Sequence, residues 1–274
     1  MINVLITSAG RRVSLVKIFK SEIKKRNLKG NVHALDLVPE LSPACQISDE
    51  YQKAPPVNDK NYIKFLFNYC IDKKINIIIP TIDTELVVLA KNKKLFSNEN
   101  IFVIVSDINF IEKCRNKSKI HDFFNQRGIR TAKEFNKEDY TLPLFIKPID
   151  GSNSVDNYVI KNKSDFMDYH FKNQNLMFLE YLDEKEFSEY TCDLYYGKDN
   201  KIKCIVPRKR LEVRGGEVSK AQTEKNILTE IIFEKLNKIN GARGCITAQF
   251  FKNDITDKIY GIEINARFGG GYPL

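Results

Sequence analysis

The first third of the chain alternates short apolar runs with amphipathic stretches of helix length, and this constrains the fold more than any other feature. Asn3–Thr7, Val32–Asp36, 75–79 and 101–105 read as strands, while 11–25, 60–73 and 84–93 read as helices. Strands that each lead into a helix return by crossover, which predicts a parallel, Rossmann-like sheet with helices on both faces. Ligands bind such sheets outside the carboxyl ends of the strands, here 8–12, 36–40 and 80–85. The first of these turns holds only Gly10 and no G-x-G-x-x-G, so an NAD-dependent enzyme is discounted.

The rest of the chain has a different rhythm. Residues 107–127 read as two short helices, broken near Arg115 and Asn116 and closed by Gly128, a residue suited to a helix C-cap. Strands follow at 144–147, Tyr158–Ile160, 177–181, 189–196, 201–214, 245–252 and 258–265, with helices at 163–171 and 223–240. Runs of strands carrying one or two helices predict an α+β unit.

The last strand carries the strongest chemical signal. In YGIEINARFGGG (260–271), alternation sends Glu263, Asn265 and Arg267 to one face and Ile262, Ile264 and Ala266 to the other. A carboxylate, a neutral oxygen ligand and a guanidinium in a row suit Mg²⁺ held together with phosphates. An isolated E-x-N-x-R would read as a half-solvated edge strand; the upstream sequence reverses that reading.

Lys147 ends an apolar strand directly before DGSNS (150–154), where Gly151, Ser152 and Ser154 form a small-residue loop. A lysine at that junction reaches phosphate oxygens while the loop's N–H groups fold over them. Phe178-Leu-Glu180-Tyr181-Leu182 ends a strand in the manner of a purine pocket: Glu180 accepts from an exocyclic amine, and the backbone of Tyr181 and Leu182 reads the ring edge. Glu189, Thr191 and Asp193 share one face of the next strand. Arg208, Arg210, Glu212 and Arg214 share a face of the following one, a pattern for a phosphate or carboxylate clamp. Gln249 interrupts an apolar strand; antiparallel pairing with 258–265 would bring its amide oxygen close to Glu263.

Composition narrows the alternatives. The six cysteines are scattered without a C-x-x-C, and the three histidines are far apart, which excludes a zinc framework, a disulfide scaffold and a His-based triad. The net charge of +9 raises a nucleic-acid hypothesis. Its lysines lie mainly on helix surfaces with acids interspersed, and no basic tract alternates with aromatics, so solvated faces explain it better. No apolar run is of membrane-spanning length, and the first residues read as a strand rather than a basic leader, so a cytoplasmic location without membrane or nucleic-acid partners is expected.

Taken in order, these motifs resemble the ATP-grasp superfamily, in particular the carbamoyl-phosphate-synthase-like carboxylate–amine ligases. The resemblance covers nearly the whole chain: the front α/β domain, Asn116-Lys117 with Gly128-Ile-Arg-Thr131, Ile146-Lys147-Pro148, 179–182, 189–193, 207–216, Gln249 and 263–271. It implies a pre-ATP-grasp domain at 1–112, a small ATP-grasp lobe at 113–181 and a large lobe at 182–274. It further implies that Lys117 and Lys147 hold ATP phosphates, that Glu180, Tyr181 and Leu182 read adenine, and that Glu189 approaches the ribose. Gln249 and Glu263 would bind one Mg²⁺ and Glu263 and Asn265 a second, with Mn²⁺ as a substitute. Arg267 would support the transferred phosphoryl group, and Arg208, Arg210 and Arg214 would hold phosphate or acidic substrate. The implied reaction phosphorylates a small-molecule carboxylate and passes the acyl group to an amine.

Some positions depart from the family pattern. Asn116 stands where Asp is usual, Asn153 and Asn157 where glycines are frequent, and 183–188 reads as an insertion before Glu189. The sequence stops at Leu274, where relatives continue through a closing helix. A shortened ATP-grasp domain is therefore expected, with 268–274 poorly ordered or docked on a second copy in a homodimer. The alternative reading is a non-catalytic or partner-dependent ATP-binding fragment of a carbamoyl-phosphate-synthase-like enzyme.

Overall fold

Strand β1 (Asn3–Thr7) is buried along its length because it is flanked on both sides. β2 (Val32–Asp36), β3 (Glu50–Lys53), β4 (Ile75–Pro80) and β5 (Phe102–Val103) complete a parallel sheet of order β3-β2-β1-β4-β5. Helices α1 (Val13–Lys25), α2 (Pro43–Ile47), α3 (Tyr62–Asp72) and α4 (Asp83–Ser97) make the crossovers. The order reverses between β1 and β4, so the turns after these two strands flank the crevice where such sheets take ligands. The computed structural model describes residues 1–150, 156–214 and 217–270.

Strands form at the expected places, the one at 101–105 reduced to Phe102–Val103, and β3 and α2 are additions that the sequence pattern does not predict. β3 has an exposed, polar sequence, EYQK, which carries no apolar signal. It forms because an edge strand needs only one neighbour to pair with, and β2 provides it.

Helices α5 (Ile108–Cys114) and α6 (Lys117–Gln126) break at Arg115–Asn116, as the sequence indicates. Asn116 caps α6 by accepting from the Lys119 N–H at 2.9 Å, and Gly128 follows with φ +70°, the left-handed conformation glycine tolerates.

Two antiparallel sheets follow. The smaller contains β6 (Glu134–Phe135), β7 (Leu144–Pro148), β8 (Tyr158–Ile160) and β9 (Leu176–Glu180) in the order β6-β9-β7-β8. The larger contains β10 (Phe187–Tyr196), β11 (Ile202–Arg214), β12 (Glu217–Thr223), β13 (Gly244–Asn253) and β14 (Ile259–Asn265) in the order β12-β11-β10-β13-β14. The expected helix at 163–171 is a single 3-10 turn plus α7 (Asp168–Lys172). That at 223–240 shrinks to α8 (Ile227–Leu236): Thr223 is the last residue of β12, paired with Arg208 of β11, and Asn226 caps the helix by accepting from the Leu228 N–H at 3.0 Å. Local periodicity gave way there to the hydrogen-bonding demand of a long neighbouring strand.

Packing joins what the chain order separates. One apolar core runs from Leu5, Leu66 and Leu89 in the front domain, through Phe110 of α5 and Phe124 of α6, to Tyr190 and Phe250 in the large sheet. Gly244 at the start of β13 sits so close to the front domain that a Cβ there would lie 2.4 Å from Ile104 Cγ2. The small sheet keeps its own core of Leu144, Ile146, Ile160, Leu176 and Phe178. Among the described residues no helix is long and apolar enough to cross a membrane.

Candidate functional site

The register of the large sheet assembles the site's floor. Gln249 of β13 pairs directly with Glu263 of β14, Thr191 of β10 pairs with Gln249, and Arg208 of β11 pairs with Thr191. Cross-strand partners share a face, so these side chains form one row. The next row carries Asp193, Thr247 and Asn265. Asn265 Nδ2 donates to Glu263 Oε1 at 2.9 Å, which holds the carboxylate and the amide together at the end of β14.

The small sheet supplies the opposite wall. Phe145, Lys147, Met177 and Leu179 share a face of β7 and β9 by their register, and Ala132, Ile149 and Leu182 extend the apolar part of that wall. Lys147 is only 6% exposed. Burial pushes its ammonium down to about 8, and Lys117 lowers it further; Glu263, and more weakly Glu134, pull the other way. Lys117, the first residue of α6, is likewise lowered by burial, with Glu263 and Asp150 opposing. Both lysines thus lie in the field of the same carboxylate. His121, one turn along α6, is pushed down to about 4 by burial, with Lys147 adding to the effect, and is neutral at physiological pH.

Among the described residues, Lys147 has neither a hydrogen bond nor an ion pair to its ammonium. A buried cation without a bonded counter-ion is costly, and it is the natural partner of an anion entering from solution.

The remaining sequence-derived residues fall as follows. Glu180 ends β9, and its Oε2 accepts from the Lys133 N–H at 3.2 Å. Tyr181 and Leu182 follow, half-buried at the edge of the apolar wall. Burial raises Glu189, and Arg210 opposes that shift through a 2.6 Å ion pair. Gly151, Ser152 and Ser154 lie outside the described residues.

The arginine row differs from an open clamp. Arg208 is 2% exposed and holds Asp193 at 2.7 Å, Arg210 holds Glu189, and Arg214 holds Glu212 at 2.5 Å. Thr247 Oγ1 also donates to Asp193, at 3.3 Å. Arg208 and Arg210 meet acids of β10 that spacing along β11 does not reveal, whereas Glu212 is a neighbour of Arg214 that alternation does place; register shifts between Arg210 and Val213 interrupt the row, and the Arg214 side chain is exposed. Arg210 Nε is buried without a hydrogen-bond partner among the described residues, so this guanidinium keeps one donor in hand.

Arg267 is engaged from an unexpected side. Its Nε and Nη2 donate to Asp83 Oδ2 at 2.8 and 2.5 Å, and Asp83 begins α4 of the front domain. Nearby, Arg12 Nη1 donates to the Gly270 carbonyl at 2.8 Å. Neither Asp83 nor Arg12 was singled out by sequence reasoning. The available signal was the rule for strand carboxyl ends, which marks both of their loops.

Gln249, Glu263 and Asn265 form a hard donor set: one carboxylate and two amides. Mg²⁺ is usually held by one or two carboxylates with substrate phosphates completing its shell, and this set fits that pattern. No cluster of three or more His, Cys, Asp or Glu suited to a metal occurs among the described residues.

Comparisons with known proteins bear on the family and the fold. A PylC-like N-terminal domain model matches residues 4–104 and an ATP-grasp domain model matches residues 114–271. No curated protein sequence matches the chain at a significant level. Among solved structures, N5-carboxyaminoimidazole synthetase from Staphylococcus aureus complexed with ADP is 18% identical with a TM-score of 0.69, over 98% of this chain and 71% of that one. The L-amino acid ligase from Bacillus licheniformis is 16% identical with a TM-score of 0.70, over 98% and 68%. The biotin carboxylase domain of Hydrogenobacter thermophilus 2-oxoglutarate carboxylase, in complex with MgADP, ADP and bicarbonate, is 13% identical with a TM-score of 0.71, over 99% and 65%. The chain spans 26% of Rhizobium etli pyruvate carboxylase, another structure it resembles. At these identities the likeness is one of fold.

Proposed function

The chain belongs to the ATP-grasp family, and on that premise we propose that it is a Mg²⁺- and ATP-dependent ligase joining a carboxylate to an amine through an acyl phosphate. The observation that carries this reading is the buried Lys147 ammonium, unbonded among the described residues and facing a carboxylate-and-amide floor.

In this reading the triphosphate lies between Lys147 and Lys117 on one side and the Gln249–Glu263–Asn265 row on the other. The apolar wall of Phe145, Met177, Leu179 and Leu182 takes the adenine face, with Glu180 and the backbone at Tyr181 reading its edge. Glu189 serves the ribose. Mg²⁺, as two ions and with Mn²⁺ as a substitute, neutralises phosphate charge when bound. Arg267 supports the transferred phosphoryl group, and Arg210 and Arg208 border the acceptor.

The acceptor carboxylate oxygen bonds to the γ-phosphorus as the bond to ADP breaks. The amine nitrogen then attacks the acyl carbon, phosphate leaves, and the amine gives up a proton. Such transfer needs positioning and charge neutralisation rather than a protein nucleophile. The residues of the proposed site offer both positioning and charge neutralisation. A cytoplasmic location and self-association as a homodimer complete the proposal.

The test is calorimetric titration with Mg²⁺-ATP, followed by ADP release against pools of carboxylic acids with amines. Absence of nucleotide binding would sink the reading. Binding without ADP release from any pool would favour a non-catalytic nucleotide module.

A further inference from the structure

We propose that Asp83 of the front domain is a positioning residue for phosphoryl transfer, holding the Arg267 guanidinium so that its remaining N–H groups face the γ-phosphate. This rests on the ATP-ligase reading and adds to it a role for a domain that supplies none of the nucleotide or metal ligands proposed above.

The geometry is specific. Of the five N–H groups on a guanidinium, Nε and one on Nη2 go to Asp83 Oδ2, and one on Nη1 goes to the Phe268 carbonyl at 3.1 Å. That leaves one N–H on each terminal nitrogen. The Arg267 backbone is fixed as well: its N–H donates to the Asn265 carbonyl at 2.8 Å, and its carbonyl lies 3.2 Å from Thr247 Oγ1, whose single proton it shares with Asp193. The guanidinium is therefore tied to the end of the metal-bearing strand from below and aimed by Asp83 from the side.

Asp83 is itself held. It occupies the first turn of α4, where the helix dipole favours a carboxylate, and its own carbonyl accepts from Arg115 Nη1 at 3.2 Å. Two residues on, Glu85 is fully buried, where it accepts from the Tyr62 hydroxyl and from Ser8 Oγ at 3.3 Å. The start of α4 is thereby pinned to the loop after β1. That same loop sends Arg12 to the Gly270 carbonyl. Outer carboxylates that orient a charged ligand group commonly govern its function without touching substrate.

The test compares the non-hydrolysable β,γ-imido analogue of ATP with ADP, each titrated with Mg²⁺ by calorimetry. In Asp83→Asn the analogue's affinity is expected to fall about tenfold while ADP binding holds. Asp83→Glu should recover most of the loss. Arg267→Ala should show the same selective loss, and the double variant Asp83→Asn/Arg267→Ala should lose no more than Arg267→Ala alone. Arg267→Lys leaves the front domain untouched and removes the fork; it should also lose analogue affinity selectively. Equal analogue affinity in wild type and Asp83→Asn overturns the proposal. So does a parallel fall for ADP and analogue, which marks a general structural role, or a further full loss in the double variant. Wild-type protein that binds neither nucleotide overturns instead the ATP reading itself.

Discussion

Replacing Lys147 by Met tests the site at its most unusual group. The ammonium falls from 10.5 to about 8 mainly because burial strips it of water. At about 1.4 kcal/mol per pH unit this is about 3 kcal/mol of cost to the charged form in the empty protein. The sign follows from proton counting. Between pH 8 and 10.5 the unfolded chain holds this proton and the folded one does not, so the stability of the empty protein rises with pH through that window. Lys147→Met removes the cost and should stabilise the empty protein near pH 7, with a flatter profile above pH 8. Nucleotide has the opposite effect, because phosphates restore the charged form. Binding should then draw in about half a proton at pH 8 and nearly a whole one near pH 9. Calorimetry in buffers of different ionisation enthalpy reads that number directly. Lys147→Met should abolish most of the uptake and weaken ATP by about 1.5–3 kcal/mol, the usual range for a hydrogen bond to a charged group. Unchanged proton uptake in the variant, or destabilisation of its empty form, would refute the reasoning.

Further outcomes follow from other residues. Glu263→Gln should remove Mg²⁺-dependent turnover and raise the Mg²⁺ needed for nucleotide binding, with the melting temperature nearly unchanged; wild-type turnover at limiting Mg²⁺ would discard it as a ligand. Glu85 is raised to about 7 by burial, so the folded protein binds its proton more tightly than the unfolded chain does, and stability should decline as pH rises from about 4.5 to 7. Glu85→Gln should flatten that slope in thermal melts; an unaltered slope would place the titration elsewhere. Gly261→Ala would put a Cβ 2.5 Å from the Phe124 ring, and overpacking of this kind costs roughly 1–3 kcal/mol, readable by urea denaturation as a shifted midpoint.

What was legible in the sequence divides along physical lines. The buried strands β1, β2, β4, β13 and β14 announce themselves through apolar runs or strict alternation, and the Gln249–Glu263 pairing follows from alternation plus an antiparallel neighbour. Of the residues proposed for the nucleotide, Lys117 begins α6 and Glu180 ends β9, positions that the sequence pattern marks. Strands β3 and β12 carried no such signal, since exposed edge strands are stabilised by their neighbours' hydrogen bonds rather than by their own side chains. The β10 acids that Arg208 and Arg210 meet, and the Asp83–Arg267 pair, were invisible for a different reason. The latter joins residues 184 positions apart, and nothing in local periodicity encodes which of many surface carboxylates an arginine meets.

The cores show why the front domain is bound up with the chemistry rather than appended to it. Helix α6, which follows the front domain in sequence, packs against β14 and shares the continuous core with Phe250, so Lys117 belongs with the large sheet. Lys147 belongs with the small sheet, whose core is separate. The two lysines aimed at Glu263 thus sit on two differently supported bodies. Like charges at such a junction repel, and in the proposed ATP reading phosphates lying between them would bond to both. In the ATP reading, part of the free energy of phosphate binding would go into drawing the small sheet toward a floor that the front domain holds in place through Asp83, Arg12 and the shared core. In the same reading a nucleoside, which lacks phosphates, would contact the apolar wall alone and leave that approach undone.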